Sequence, residues 1–72
     1  MVNTQLLEEA IAQSGKKKSY LAGKCGITRQ SLTSKINNRS EFTGQQIIIL
    51  CKELDIKQLT RKDAIFFVPK VE

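Results

Sequence analysis

The chain has no histidine and no tryptophan, and only one proline and two cysteines in 72 residues. Without histidine it lacks the usual proton-transfer group near neutral pH and the commonest nitrogen ligand for zinc. Cys25 and Cys51 form no CxxC pair, so a zinc site would have to recruit carboxylates. Both cysteines stand among apolar neighbours at helical spacing and read as small buried core residues. In a reducing compartment a disulfide between them is not expected. No two carboxylates stand at a spacing recognisable for acid–base work. An enzyme is therefore not expected, and neither is a cofactor or a small-molecule substrate. Long apolar runs are missing too: the longest, Ile47 to Cys51, is far too short to cross a bilayer. The opening MVNTQLLEEA lacks the basic-then-apolar order of a secretory signal. The expectation is a cytoplasmic protein with no membrane partner.

A second absence is local. Residues 16–39 contain Lys16, Lys17, Lys18, Lys24, Arg29, Lys35 and Arg39 and not one acid. Residues 1–15 carry Glu8 and Glu9 without a cation, and from residue 40 onward the two signs balance. The net charge of +5 is thus concentrated in one segment. A merely solvated face interleaves both signs, so a surface turned toward a polyanion is the better reading.

What is present in quantity is helical periodicity. With 40% hydrophobic and 26% charged residues the chain is ordinary for one small globular domain, and wholesale disorder is not expected. Asn3 or Thr4 can cap a first helix with Leu7, Ala10 and Ile11 on one face and Gly15 as its stop. A second helix covers roughly Lys18 to Cys25, with Leu21, Ala22 and Cys25 turned inward and Gly26 ending it. Its start is unusual, because three lysines crowd the positive end of the helix dipole. Something outside that helix must reward the arrangement. In the third helix Thr28 is the cap, Ile27 and Leu32 make a hydrophobic staple, and Leu32 and Ile36 mark the buried face. Asn37 and Asn38 are its stop residues. The fourth repeats the start: Thr43 caps, Gln46 completes a T-x-x-Q capping box, and Phe42 staples to Ile47. Ile47, Leu50, Cys51 and Leu54 form its core stripe, Ile48 and Ile49 widen it, and Asp55 ends it. A fifth helix is expected to start at Thr60, with Leu59 before the cap, and to run to about Phe67, although IFFV also suits a short strand. The expected fold is all-α, a compact bundle of about five short helices over residues 1–72, with residues 68–72 as an extended tail.

The sequence Cys25-Gly26-Ile27-Thr28 joins the second and third helices too tightly for anything but a steep turn, the arrangement of a helix-turn-helix over residues 18–36. The core positions of the third helix leave Arg29, Gln30, Ser31 and Ser34 on a polar edge, three of them in the first turn, where base edges are read in a major groove. Arg pairs with guanine and Gln with adenine by two parallel hydrogen bonds each. Lys17, Lys18 and Ser19 at the start of the second helix, and Lys35, Asn37, Asn38 and Arg39 after the third, suit phosphates on either side.

LAGKCGITRQSLTSKI resembles the helix-turn-helix of Cro/CI-type (XRE-type) regulators, in particular the small repressor and Cro-like proteins of temperate phages of Gram-positive bacteria. Leu21, Ala22, Gly26, Ile27 and Thr28 carry the likeness. It extends through FTGQQIIILCKELDI and covers roughly residues 5 to 56, with LTRKDAIFF similar but less specific. The resemblance implies a lambda-repressor-like fold and DNA contacts at Lys18, Arg29, Gln30, Ser31 and Ser34. It also implies a bacterial host cell, with the protein on the nucleoid when bound. Two departures stand out: Lys18 replaces the family's usual Gln, and Asn37-Asn38-Arg39 replaces its common Glu-Asn-Gly. The expected function is a transcriptional regulator that binds a double-stranded operator as a homodimer. The rival is an antirepressor or co-repressor acting on a partner repressor protein, with Ile65 to Val68 either closing the core or forming an interface. GKC is no Walker loop, since GxxxxGK[ST] is missing. Tyr20 reads as a partly buried packing residue or a phosphate-contacting hydroxyl. It is the single aromatic of the basic segment, which argues against RNA.

Overall fold

Capping residues and glycines divide the chain into five helices, with no strand among the described residues: α1 (Thr4–Ser14), α2 (Lys18–Cys25), α3 (Arg29–Ile36), α4 (Gly44–Glu53) and α5 (Leu59–Phe66). The computed structural model describes residues 1–69. Of the tail expected over residues 68–72, Val68 and Pro69 are non-helical, and residues 70–72 lie outside the described residues.

Local chemistry sets most of the boundaries. Asn3 caps α1 by accepting the Leu6 amide at 3.0 Å, and Gly15 closes it with φ 71°, a left-handed conformation that costs glycine nothing. Thr28 and Thr43 cap α3 and α4, and α4 carries the full capping box with Gln46. Asn38 (φ 62°) and Asp55 (φ 57°) take the left-handed conformation behind α3 and α4.

One apolar cluster receives a stripe from each helix: Leu7, Ala10 and Ile11 from α1, Leu21 and Ala22 from α2, Leu32 and Ile36 from α3, Ile47 and Leu50 from α4, Ile65 and Phe66 from α5. Val2, Leu54 and Ile56 join it from the connecting segments. Each such side chain contributes on the order of 1.5–3 kcal/mol by leaving water. Phe42 meets Phe66 edge to face, with centroids 6.0 Å apart and planes at 85°. Among the described residues no polar side chain is buried.

Several expectations need correcting. Cys25 and Cys51 are half-buried at the rim of the cluster rather than inside it, Cys25 as the last residue of α2 and Cys51 one step round α4 from the buried Leu50. Ile48 widens nothing: it faces solvent on the outer side of α4. Thr60 is not the cap of α5. The helix begins at Leu59, Gln58 precedes it without a side-chain cap bond, and Leu59 is exposed. IFFV divides between the two expectations. Ile65 and Phe66 are helical and buried, whereas Phe67 leaves the helix and is exposed. Val68 then exchanges backbone hydrogen bonds with Met1, at 3.0 Å to its carbonyl and 3.4 Å from its amine. Together with the Asn3 amide, which donates to the Ile65 carbonyl at 2.7 Å, these bonds fasten the chain start to the end of α5.

Candidate nucleic-acid interface

The turn between α2 and α3 is closed by two backbone bonds: the Gly26 amide donates to the Gly23 carbonyl at 3.2 Å and the Ile27 amide to Ala22 at 3.0 Å. This paired closure requires a left-handed residue, and Gly26 has φ 72°. Ile27 packs against the core. Thr28 follows immediately and accepts the Ser31 amide at 3.0 Å, so the cap of α3 stands two residues beyond the glycine and the helix starts at Arg29. Leu32 and Ile36 pin α3 from beneath, with essentially no exposure.

Helical phase then dictates what faces outward. Arg29 and Gln30 are exposed, and their side chains have no hydrogen-bond or ion-pair partner among the described residues. Ser31 and Ser34 are half-buried beside them. Thr33 turns its hydroxyl back to the Arg29 carbonyl at 3.0 Å. The four residues expected to read bases therefore share one helix, and the two long ones have their full donor and acceptor capacity unengaged.

The residues expected at phosphates fall into two groups. Lys17, Ser19, Asn37 and Arg39 are exposed, and their side chains are unpaired among the described residues. The start of α2 has no side-chain cap, so its first amides are not satisfied by a neighbouring hydroxyl or carboxylate. The other group is engaged within the chain. Lys18 meets the Glu8 carboxylate through both oxygens, at 2.9 and 3.0 Å. Lys35 donates to the Glu41 carbonyl at 2.8 Å, tying α3 to the segment before α4. Asn38 has another job altogether. Its side-chain oxygen accepts the Val2 amide at 2.8 Å and its nitrogen donates to the Val2 carbonyl at 2.9 Å, mimicking a paired backbone. Thr4 adds a bond from its hydroxyl to the Ile36 carbonyl at 2.7 Å.

Reasoning from the sequence missed these internal partners. The lysines crowding the start of α2 are rewarded in part by carboxylates of the same chain. Lys18 has Glu8, and Lys16 reaches both the side chain of Glu53 at 3.0 Å and its backbone carbonyl at 2.8 Å. The hydrogen bond from Lys16 is the main reason the Glu53 carboxyl is held below its ordinary range. Glu8, placed near the dipole of its own helix, gives no local sign of the contact, and Glu53 is 37 positions from its lysine. Tyr20 is neither buried nor hydrogen-bonded to a core group. Its exposed ring lies under the ammonium groups of Lys16, 5.8 Å away, and Lys24, 5.5 Å away.

Burial pushes both thiols up from their usual range, at Cys25 with Glu53 adding to the effect and Lys35 opposing it, and at Cys51 with Lys62 opposing it. Both are therefore protonated at neutral pH and weak nucleophiles. Among the described residues no three His, Cys, Asp or Glu side chains converge as a metal site would need, and no helix is long and apolar enough to cross a membrane. No protein-family model, curated protein or solved structure matches the chain.

Proposed function

We propose that the chain is a sequence-specific double-stranded-DNA-binding transcriptional regulator of the phage repressor or Cro-like kind, with α3 as the helix that enters the major groove. The observation that carries this reading is the pair Arg29 and Gln30: exposed, unengaged, and set in the first turn of a helix within an acid-free basic segment. A polar helix edge with no internal partner is the form a base-reading surface takes before DNA arrives. Ser31 and Ser34 extend that edge. Lys17, Ser19, Asn37 and Arg39 supply phosphate contacts on its two sides, with Lys18 joining when released from Glu8. Two copies on a two-fold operator would hold their α3 helices about 34 Å apart, one turn of the duplex.

Selection of bound sequences from random duplex DNA tests this directly. The expected result is a palindromic motif whose half-sites lie one helical turn apart. Recovery of no enriched sequence at low salt would reject base reading by α3.

A second reading, action on a partner repressor by protein contact, is favoured by three large apolar side chains at the surface: Ile48, Leu59 and Phe67, at 62%, 68% and 54% exposure. A monomer by light scattering, with no DNA affinity at low salt, would select it over the first.

A further inference from the structure

Glu8 sits on α1, outside the basic segment, yet it grips the first residue of α2 with both carboxylate oxygens. The Lys18 and Glu8 side chains remain 27% and 42% exposed, so water and a phosphate oxygen can both reach the ammonium. Pairs this open are weakly held and give way to a competing anion. The neighbouring pair differs in kind. Lys16 has two acceptors on Glu53, one of them a backbone carbonyl, and the Glu53 side chain is only 16% exposed. Lys17, between the two, has an unpaired ammonium among the described residues. Three consecutive lysines are thus in three states: locked, open, and loosely held.

We propose that Glu8 is an intramolecular stand-in for a DNA phosphate, occupying Lys18 in the free protein and setting the strength of DNA binding through the exchange. This rests on the DNA-binding reading above. On binding, the Lys18 ammonium leaves the Glu8 carboxylate for a backbone phosphate, with no proton transferred, and the carboxylate returns to water. Glu8 lowers affinity in two ways: the pair must be broken, and a negative charge is left close to the incoming phosphate. Neither effect depends on base sequence, so Glu8 tunes the strength of binding and leaves discrimination to α3.

The test is a fluorescence-anisotropy titration of a labelled mixed-sequence duplex at several potassium chloride concentrations. Wild type is compared with Glu8→Gln, Glu9→Gln, Lys18→Met and the Glu8→Gln/Lys18→Met double variant. Glu9→Gln makes the same charge change at an exposed carboxylate with no ion pair among the described residues. Lys18 reaches a phosphate in both proteins, so Glu8→Gln keeps close to the wild-type salt slope and binds up to about fivefold tighter at 0.1 M, the worth of an exposed ion pair. Glu9→Gln keeps the wild-type affinity. Lys18→Met weakens binding more in the Glu8→Gln background than in the wild type, since only there is the ammonium unoccupied. Glu8→Ala gives the same readout should glutamine disturb α1, and thermal melts followed by circular dichroism verify folding of each variant. Equal affinity for wild type and both Glu8 variants would overturn the exchange, as would a slope steeper by about 0.9 in Glu8→Gln, which would mean that Lys18 stays on Glu8 when the wild type binds. So would equal tightening by Glu8→Gln and Glu9→Gln, which would reduce the effect to net charge. Failure of every protein to bind at low salt would be a different result, removing the DNA-binding reading and this inference with it.

Discussion

Thr28 and Thr43 open α3 and α4 in the same way, each accepting the amide three residues on, from Ser31 at 3.0 Å and from Gln46 at 3.2 Å. Each is preceded by an apolar residue, Ile27 or Phe42, packed against the core. Beyond the cap the two helices diverge. In α4, Gln46 turns back to the Thr43 amide at 3.0 Å, so its side chain satisfies the helix's own start. In α3 the equivalent position is Ser31, too short to return, and Arg29 and Gln30 remain unengaged. Two helices with one starting device therefore have different prospects. The polar first turn of α4 is partly committed inward, whereas that of α3 is available to something outside. Capping explains why each helix starts, and the unengaged side chains are what set the two apart.

The largest effects should come from the shared foundation of the two helices. Leu32→Ala in α3 and Leu50→Ala in α4 each remove a side chain with at most 1% exposure. Each should lower stability by about 2–5 kcal/mol, read from urea midpoints. A loss well below that at Leu32 alone would mean that α3 is not anchored as α4 is. Next in size is the difference at equivalent second positions, Gln30 in α3 and Gln45 in α4, both exposed. Arg29→Ala and Gln30→Ala should each remove about 1–3 kcal/mol of discrimination between cognate and scrambled duplexes, leaving the melting temperature unchanged. Gln45→Ala should change neither quantity. Equal effects on DNA from Gln30→Ala and Gln45→Ala would break the comparison. The smallest effect concerns the caps themselves: Thr28→Ala and Thr43→Ala should each cost about 1 kcal/mol of stability. A loss several times greater at one cap than at the other, by circular-dichroism melts, would show that the two starts are not alike.

How legible each feature was follows from how far apart its partners lie in the chain. The stop at Gly26 and the caps at Thr28 and Thr43 involve bonds within five residues, so they could be read directly. The outward position of Arg29 and Gln30 followed from the phase fixed by Leu32 and Ile36. The occupation of Asn38 by Val2 spans 36 residues and left no local sign, and a residue readable as a phosphate contact is instead a clasp for the chain start. The start of α5 was misread by one residue because Thr60 offered a cap that the helix does not use. Cys25 and Cys51 share the helical spacing of core residues, yet spacing alone does not tell a stripe's centre from its rim.

By itself, the sequence determined the first four helices, the tight turn at Gly26, the fully buried positions of those helices and the concentration of positive charge in residues 16–39. All of these arise from backbone preference, side-chain period or composition, which need no distant partner. Only the tertiary structure decided which of those charges are engaged: Lys16 with Glu53 and Lys18 with Glu8, with Lys17 and Arg39 unpaired among the described residues. The physical reason is the short reach of a salt bridge. An ammonium and a carboxylate must come within about 4 Å in water to be worth pairing, and for residues far apart in the chain only the packing of helices brings that about.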